Sequence, residues 1–243
     1  MSNMNAILLK VAAVLSFAAA FLASFKQLDV LINNAGIYGG GAKTTAEGFS
    51  MSMGVNHLGH FALTGLLLER LLATPNARVV TVTSGAHSSG KIDLDTFHTV
   101  EAAKSGAYGN SKLANMLFTL ELQRRLTLIN ATTISLAAGP GATKSDAVQS
   151  AIQSLSNSFV RSMADTLTSI VMEPTAMGAM PSLRAATDPD AKGGAYYGPD
   201  GFMGIRGYPA TKKPAKSAAD DALAQGLWER SVALTSVDYA ALV

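Results

Sequence analysis

Short, nearly continuous apolar runs alternate along this chain with longer stretches whose apolar residues recur every three or four positions. The short runs are Leu28-Asp29-Val30-Leu31-Ile32, Arg78-Val79-Val80-Thr81-Val82-Thr83 and Thr132 to Ala137. They lead into Asn33-Asn34-Ala35-Gly36, Ser84-Gly85 and Gly139-Pro140-Gly141 respectively. Such runs predict strands buried on both faces of a parallel sheet. Ala195-Tyr196-Tyr197, bounded by Gly193-Gly194 and Gly198-Pro199, predicts a last strand. Helical spacing predicts a helix starting at Thr45-Ala46-Glu47-Gly48 and running through Leu72, and another over about Ala107 to Leu126. A final helix, capped by Ser217, has Leu223, Leu227, Ser231 and Leu234 on one face with Trp228 beside it. Strands alternating with helices predict one α/β domain over residues 1–243, a doubly wound parallel sheet without repeats.

The first thirty residues hold a further helical stripe, Val14, Phe17, Phe21 and Phe25, which predicts a buried helix. Its uncharged stretch, Val11 to Phe25, imitates a secretory leader because Lys10 precedes it and small residues follow. It is shorter than the roughly 20 residues that cross a bilayer. A strand signal follows at once, which favours the helix and predicts no membrane span.

Composition narrows the class of protein without naming a chemistry. The 243 residues are 48% hydrophobic and 15% charged, which excludes a disordered tail or a charge-laced coiled coil. The net charge of +2 gives no field to hold nucleic acid or an anionic membrane. Without Cys there is no disulfide, thiol nucleophile or thiolate metal site. These features point to a cytoplasmic globular protein.

In a doubly wound sheet, ligands bind outside the carboxyl ends of the strands, so the polar segments after each run are where chemistry belongs. Tyr108-Gly109-Asn110-Ser111-Lys112 adds a Tyr and a Lys four apart on one helix face. An ammonium near a phenol favours the phenolate, which predicts a lowered Tyr108 pKa suited to acid–base catalysis.

These residues together resemble the short-chain dehydrogenase/reductase family. The resemblance rests on Asn33-Asn34-Ala35-Gly36, Asn56 in Gly54-Val55-Asn56-His57-Leu58-Gly59-His60-Phe61, Ser84, Tyr108-x-x-x-Lys112 and Pro140-Gly141, in that order. Ser84-Gly85-Ala86-His87 and Tyr196-Tyr197-Gly198-Pro199-Asp200-Gly201 resemble its retinol dehydrogenase and protochlorophyllide reductase-like branch. The resemblance runs from about Phe17 to the C-terminus and implies a Rossmann-like fold. It implies hydride transfer between NAD or NADP, with NADP favoured, and a carbonyl or alcohol. Tyr108 would be the general acid in reduction. Lys112 would lower its pKa and bind the nicotinamide ribose, Ser84 would polarise the carbonyl, and Asn56 would hold a water that relays protons. Asn34, Ala35 and Gly36 would line the cofactor, and Pro140, Gly141, Thr143 and Ser145 would cover its nicotinamide end. Residues of about 145–195, with Met163, Met172, Met177 and Met180, would form a lid over an apolar small-molecule substrate.

The resemblance stops at the front of the chain. The first Gly is Gly36, so no Gly-rich phosphate turn precedes it, and neither does the residue that selects NAD or NADP. Only 32 residues stand before Asn33, and the resemblance places no part of Met1 to Leu15. The expectation is a reductase shortened at its N-terminus that binds NADPH weakly or not at all. The strand at Leu28 to Ile32 should then be an open edge, able to pair with a second copy or to be partly covered by Asn5 to Leu9. The alternative is a catalytically silent fold that serves as a binding or oligomerising module. Gly39-Gly40-Gly41-Ala42-Lys43-Thr44 has the context of a phosphate loop but lacks two of its glycines, at Ile37 and Ala42. His57 and His60 have no further ligands beside them, so no metal is expected.

Overall fold

The computed structural model describes residues 12–38, 43–143, 172–201 and 204–242. Five strands form one sheet: β1 (Val30–Asn33), β2 (Arg78–Val82), β3 (Ile134–Ala138), β4 (Tyr196–Pro199) and β5 (Pro209–Lys212). Their spatial order is the chain order. The first four strands are parallel, and β5 runs antiparallel to β4 with Tyr197 opposite Thr211. β5 is absent from the sequence reading because it is four residues, opens on Pro209 and shows no apolar alternation. It forms because Gly201, Gly204 and Gly207 let the chain double back beside β4.

Helices cover both faces, as a doubly wound sheet requires. On one face, α1 (Ala12–Ser24), α2 (Gly59–Leu66), α3 (Leu68–Ala73), α4 (Ala107–Leu128) and α6 (Asp221–Thr235) enclose a core of Leu31, Phe61, Leu71, Val79, Phe118 and Trp228. On the other, α5 (Thr175–Thr187) packs Ala185 over Val80, Leu136, Ala138 and Tyr197. Val79 and Val80 are adjacent and face opposite cores, which is why β2 reads as an unbroken apolar run.

β1 differs from this expectation on one face. Leu31 is buried, but Ile32 is 40% exposed, and among the described residues no strand pairs with its outer edge. The predicted burial on both faces is therefore not met at β1. The N-terminal helix is likewise only half covered. Ala18 is buried with Phe21 and Leu22 packed beside it, whereas Phe17 and Phe25 are each 56% exposed. The covered stripe runs through Val14, Leu15, Ala18, Phe21 and Leu22, while Phe17 on α1 and Phe25 just beyond it face outward. Asn5 to Leu9 lies outside the described residues. Among the described residues, no helix is long and apolar enough to cross a membrane.

Two helix starts also differ. Thr45 to Gly48 forms a turn, not a helix: Gly48 has a φ of +87°, and its N–H donates to the Thr45 carbonyl. The helix begins at Met51, passes through a π-helical turn, Gly54–Leu58, enters α2 and bends again at Leu67 before α3. At the other end, Asp220 caps α6 by accepting from the Leu223 N–H at 2.9 Å, and Ser217 lies in the preceding turn. The buried face of α6 is Ala224, Leu227, Trp228, Ser231 and Thr235, so Trp228 is central to it.

Candidate active site

The carboxyl ends of β1, β2 and β3 meet the first turns of α4, and the predicted residues gather there. After β1 the chain passes through Asn34, Ala35 and Gly36 as an exposed lip. A Cβ placed on Gly36 would stand 3.4 Å from both Asn56 Oδ1 and Lys112 Nζ, so this lip runs directly over the two side chains. Asn56 sits in the π turn, where Gly59 N–H reaches back five residues to the Gly54 carbonyl. Such turns re-aim side chains at functional positions. Its Oδ1 accepts from Ile37 N–H at 2.8 Å, and its Nδ2 donates to the Ile37 carbonyl at 3.0 Å and to Ser111 Oγ at 2.9 Å. The side chain is thus committed as a clamp between the β1 lip and α4. Both Nδ2 hydrogens are thus used, so a relayed water would donate to the second lone pair of Oδ1 or to the main-chain carbonyl.

Lys112 is 3% exposed and donates from Nζ to the Val82 carbonyl at the end of β2, at 3.1 Å. Asn115, one turn on, donates to the same oxygen at 3.0 Å. Burial lowers the Lys112 pKa to about 8. Tyr108 behaves differently from the sequence expectation: its pKa is raised, chiefly by burial, with a smaller upward push from Tyr38. Ser84 opposes this by hydrogen bonding the phenol. The reason is geometric, since the ammonium lies 5.5 Å from the Tyr108 ring centroid and is turned toward Val82. Desolvation of the phenolate therefore wins, and the phenol keeps its proton at neutral pH.

Ser84 is set by a short turn, Gly85–Ser89, that leaves β2 and packs on the start of α4. His87 fastens the turn. Its Nε2 accepts from Ala215 N–H at 3.0 Å, which places the proton on Nδ1, donating to the Ser84 carbonyl at 2.6 Å. A Cβ on Gly90 would stand 2.5 Å from the Gly109 carbonyl oxygen and 2.7 Å from Leu113 Cβ, so only Gly lets this turn reach α4. Gly90→Ala is expected to separate Ser84 from Tyr108 and to destabilise the fold by about 1–3 kcal/mol. Urea denaturation checks this against Gly85→Ala, since a Cβ on Gly85 meets nothing within 4 Å.

Pro140, Gly141 and Thr143 follow β3. Gly141 has a φ of +73°, and a side chain there would collide with the Ile205 carbonyl. Thr143 forms a bridge to Glu173 and packs against Gly178 on α5. Ser145, Met163 and Gly39 to Ala42 lie outside the described residues. Met172 and Met177 are half-buried, and Met180 is exposed. His57 and His60 are buried and neutral: burial, with nearby charge from His60 on one and Lys112 on the other, lowers their pKa to about 3 and about 4. His57 Nε2 pairs with Ser231 Oγ at 3.0 Å. In the sequence reading Ser111 and His87 appear only as members of their motifs, with no role, and Asn115 is not singled out. Ser111 and Asn115 stand near Lys112 on the same helix, but only the fold shows their partners.

Residues 7–155 match the family model described as short chain dehydrogenase, so the match begins earlier than the expected start near Phe17 and takes in part of the Met1 to Leu15 segment. The chain belongs to the short chain dehydrogenase family. Within that family its relatives are retinol dehydrogenases. It is 50% identical to human retinol dehydrogenase 12 over 135 residues, 55% of this chain and 42% of that protein. Mouse retinol dehydrogenase 12 is 40% identical over 207 residues, 83% of this chain and 62% of the relative. Human retinol dehydrogenase 13 is 34% identical over 226 residues, 91% and 65% respectively. The chain thus spans less than two thirds of the length of each. Among solved structures, an uncharacterized protein from Mycobacterium paratuberculosis shares 36% identity and a TM-score of 0.68 over 94% of this chain and 73% of its own. The NADP complex of RhlG from Pseudomonas aeruginosa, at 23% identity and a TM-score of 0.55 over 76% of this chain and 70% of its own, shares the fold.

Proposed function

We propose that this chain carries a hydride-transfer site acting between a nicotinamide cofactor and the carbonyl or alcohol of an apolar small molecule. The observation that carries this reading is the convergence of Gly36, Asn56 and Lys112 at one strand end, with Ser84 against Tyr108 beside them. Membership of the family points to the same chemistry.

The donors fit the nicotinamide riboside end of such a cofactor. Among the described residues Lys112 Nζ has one protein acceptor, the Val82 carbonyl, which leaves two of its three N–H groups for ribose hydroxyls. The exposed lip of Asn34, Ala35 and Gly36 would lie along one side of the cofactor, and Pro140, Gly141 and Thr143 along the other, with Ser145 beyond. When bound, the cofactor supplies the hydride. The protein's own part is to hold and polarise the carbonyl with Ser84 and to deliver a proton from the Tyr108 hydroxyl to its oxygen. The raised Tyr108 pKa keeps that proton in place. Lys112 would orient the ribose and, through Asn56 and a water, connect the phenol to solvent. α5, anchored on Thr143, would flank the substrate, and residues 144–171 of the expected lid lie outside the described residues.

The test is turnover of an aldehyde panel by the 243-residue chain with NADPH and with NADH, alongside a fluorescence titration of each. Oxidation of neither cofactor with any aldehyde would sink the reading and leave a fold that binds without turning over. Where turnover is seen, kcat/KM should fall as pH rises through about 8, as Lys112 loses its charge. A profile flat from pH 7 to 9 would remove Lys112 from the role.

A further inference from the structure

The Val82 carbonyl at the end of β2 accepts from two side chains on successive turns of α4, Lys112 Nζ at 3.1 Å and Asn115 Nδ2 at 3.0 Å. Asn115 has no exposed surface. Its Oδ1 makes no hydrogen bond of good geometry among the described residues, although the His57 ring is close enough to feel it. A buried amide with an unmatched oxygen costs more than an aliphatic side chain of the same size, so core packing does not account for it. Its one good bond goes to the oxygen that holds the ammonium. The titratable side chains nearest Lys112 are Tyr108 on α4 and His60 on α2, both neutral at pH 7, and the lip after β1 presents Gly36. Among the described residues, the Val82 carbonyl is thus what fixes the ammonium in place.

We propose that Asn115 is a positioning residue that occupies half of the Val82 carbonyl, weakens its hold on Lys112 and so leaves the ammonium free to donate across the site beneath Gly36. The inference rests on the reading of Lys112 given above. A carbonyl oxygen has two lone pairs, and one that already receives an amide N–H is a poorer acceptor for a second donor. The positive end of the amide dipole also stands beside the ammonium, because both donors meet one oxygen. With leucine at this position Val82 would bind the ammonium alone. It would hold Lys112 back from a ribose and favour its charged form. Loss of the amide's polarity acts the other way, but Lys112 has already lost nearly all its water, so that change is the smaller one.

The Lys112 ¹³Cε resonance, followed against pH and assigned by its absence in Lys112→Met, reads this hold without any turnover. Asn115→Leu should move the Lys112 titration upward by roughly half a pH unit to one pH unit. Asn115→Met, flexible enough to fit an irregular gap, should do the same if leucine distorts α4. Thr119→Val removes only a hydroxyl that donates to the Asn115 main-chain carbonyl at 2.8 Å, and should leave the titration in place. In both Asn115 variants NADPH should bind about two- to tenfold more weakly, the worth of one hydrogen bond. A Lys112 titration that stays put or falls in both would overturn the proposal, as would an upward move with unchanged NADPH affinity. An upward move in a chain that oxidises neither cofactor would keep the sharing of Val82 and defeat the hydride-transfer reading. Turnover with an unmoved Lys112 would do the reverse.

Discussion

Tyr108→Phe is expected to lower NADPH-dependent aldehyde turnover by about 10²- to 10⁴-fold, the usual contribution of a positioned general acid. The substitution removes one oxygen and leaves the ring, so the edge contact with Tyr38 and the packing at the start of α4 stay. Thermal stability should therefore change little while turnover collapses. Lys112→Ala should also lose turnover, and it deletes a buried ammonium together with its bond to Val82. It is the less clean experiment, because the Val82 carbonyl then keeps only the Asn115 amide. Steady-state rates beside circular dichroism melts separate the two effects. A Tyr108→Phe protein that retains more than about a tenth of wild-type turnover would show that the proton comes from elsewhere.

Phe61→Ala is expected to cost about 3–5 kcal/mol of folding stability, the range for removing a buried aromatic residue. Phe61 has no exposed surface and packs on Phe118, Trp228 and Tyr239, with ring centroids 5.5, 5.2 and 4.9 Å away. The Tyr239 hydroxyl donates to the Phe61 carbonyl at 2.7 Å, tying the C-terminal segment to α2. This cluster joins α2, α4 and α6, and His57 lies at its margin, one residue from Asn56. The hole would open beneath the π turn, so the Asn56 clamp should loosen as well. Urea unfolding gives the stability change. A loss below about 1 kcal/mol would mean that the three neighbouring rings collapse into the space.

Much of this site was legible in the residue order because strand ends carry their own punctuation. Asn34-Ala35-Gly36, Ser84 and Pro140-Gly141 each follow an apolar run, and a parallel sheet brings such ends to one edge. Tyr108 and Lys112 share a helix face by spacing alone. The Asn56 partners were not legible, because Ile37 and Ser111 lie 19 and 55 residues away and no local pattern links them to it. The same holds for His87 and Ala215, which are 128 residues apart.

The sequence by itself determined the α/β order, the three strands that end in candidate chemistry and the helix that pairs Tyr108 with Lys112. These follow from periodicity and from residues whose backbone or hydrogen-bonding preferences act locally. Only the tertiary structure decided the sign of the Tyr108 pKa shift, the π turn at Asn56, β5 and the exposed face of Ile32. Each depends on what distant segments place nearby. Spacing predicted an ammonium beside a phenol, but burial and the Val82 carbonyl determine where that charge acts.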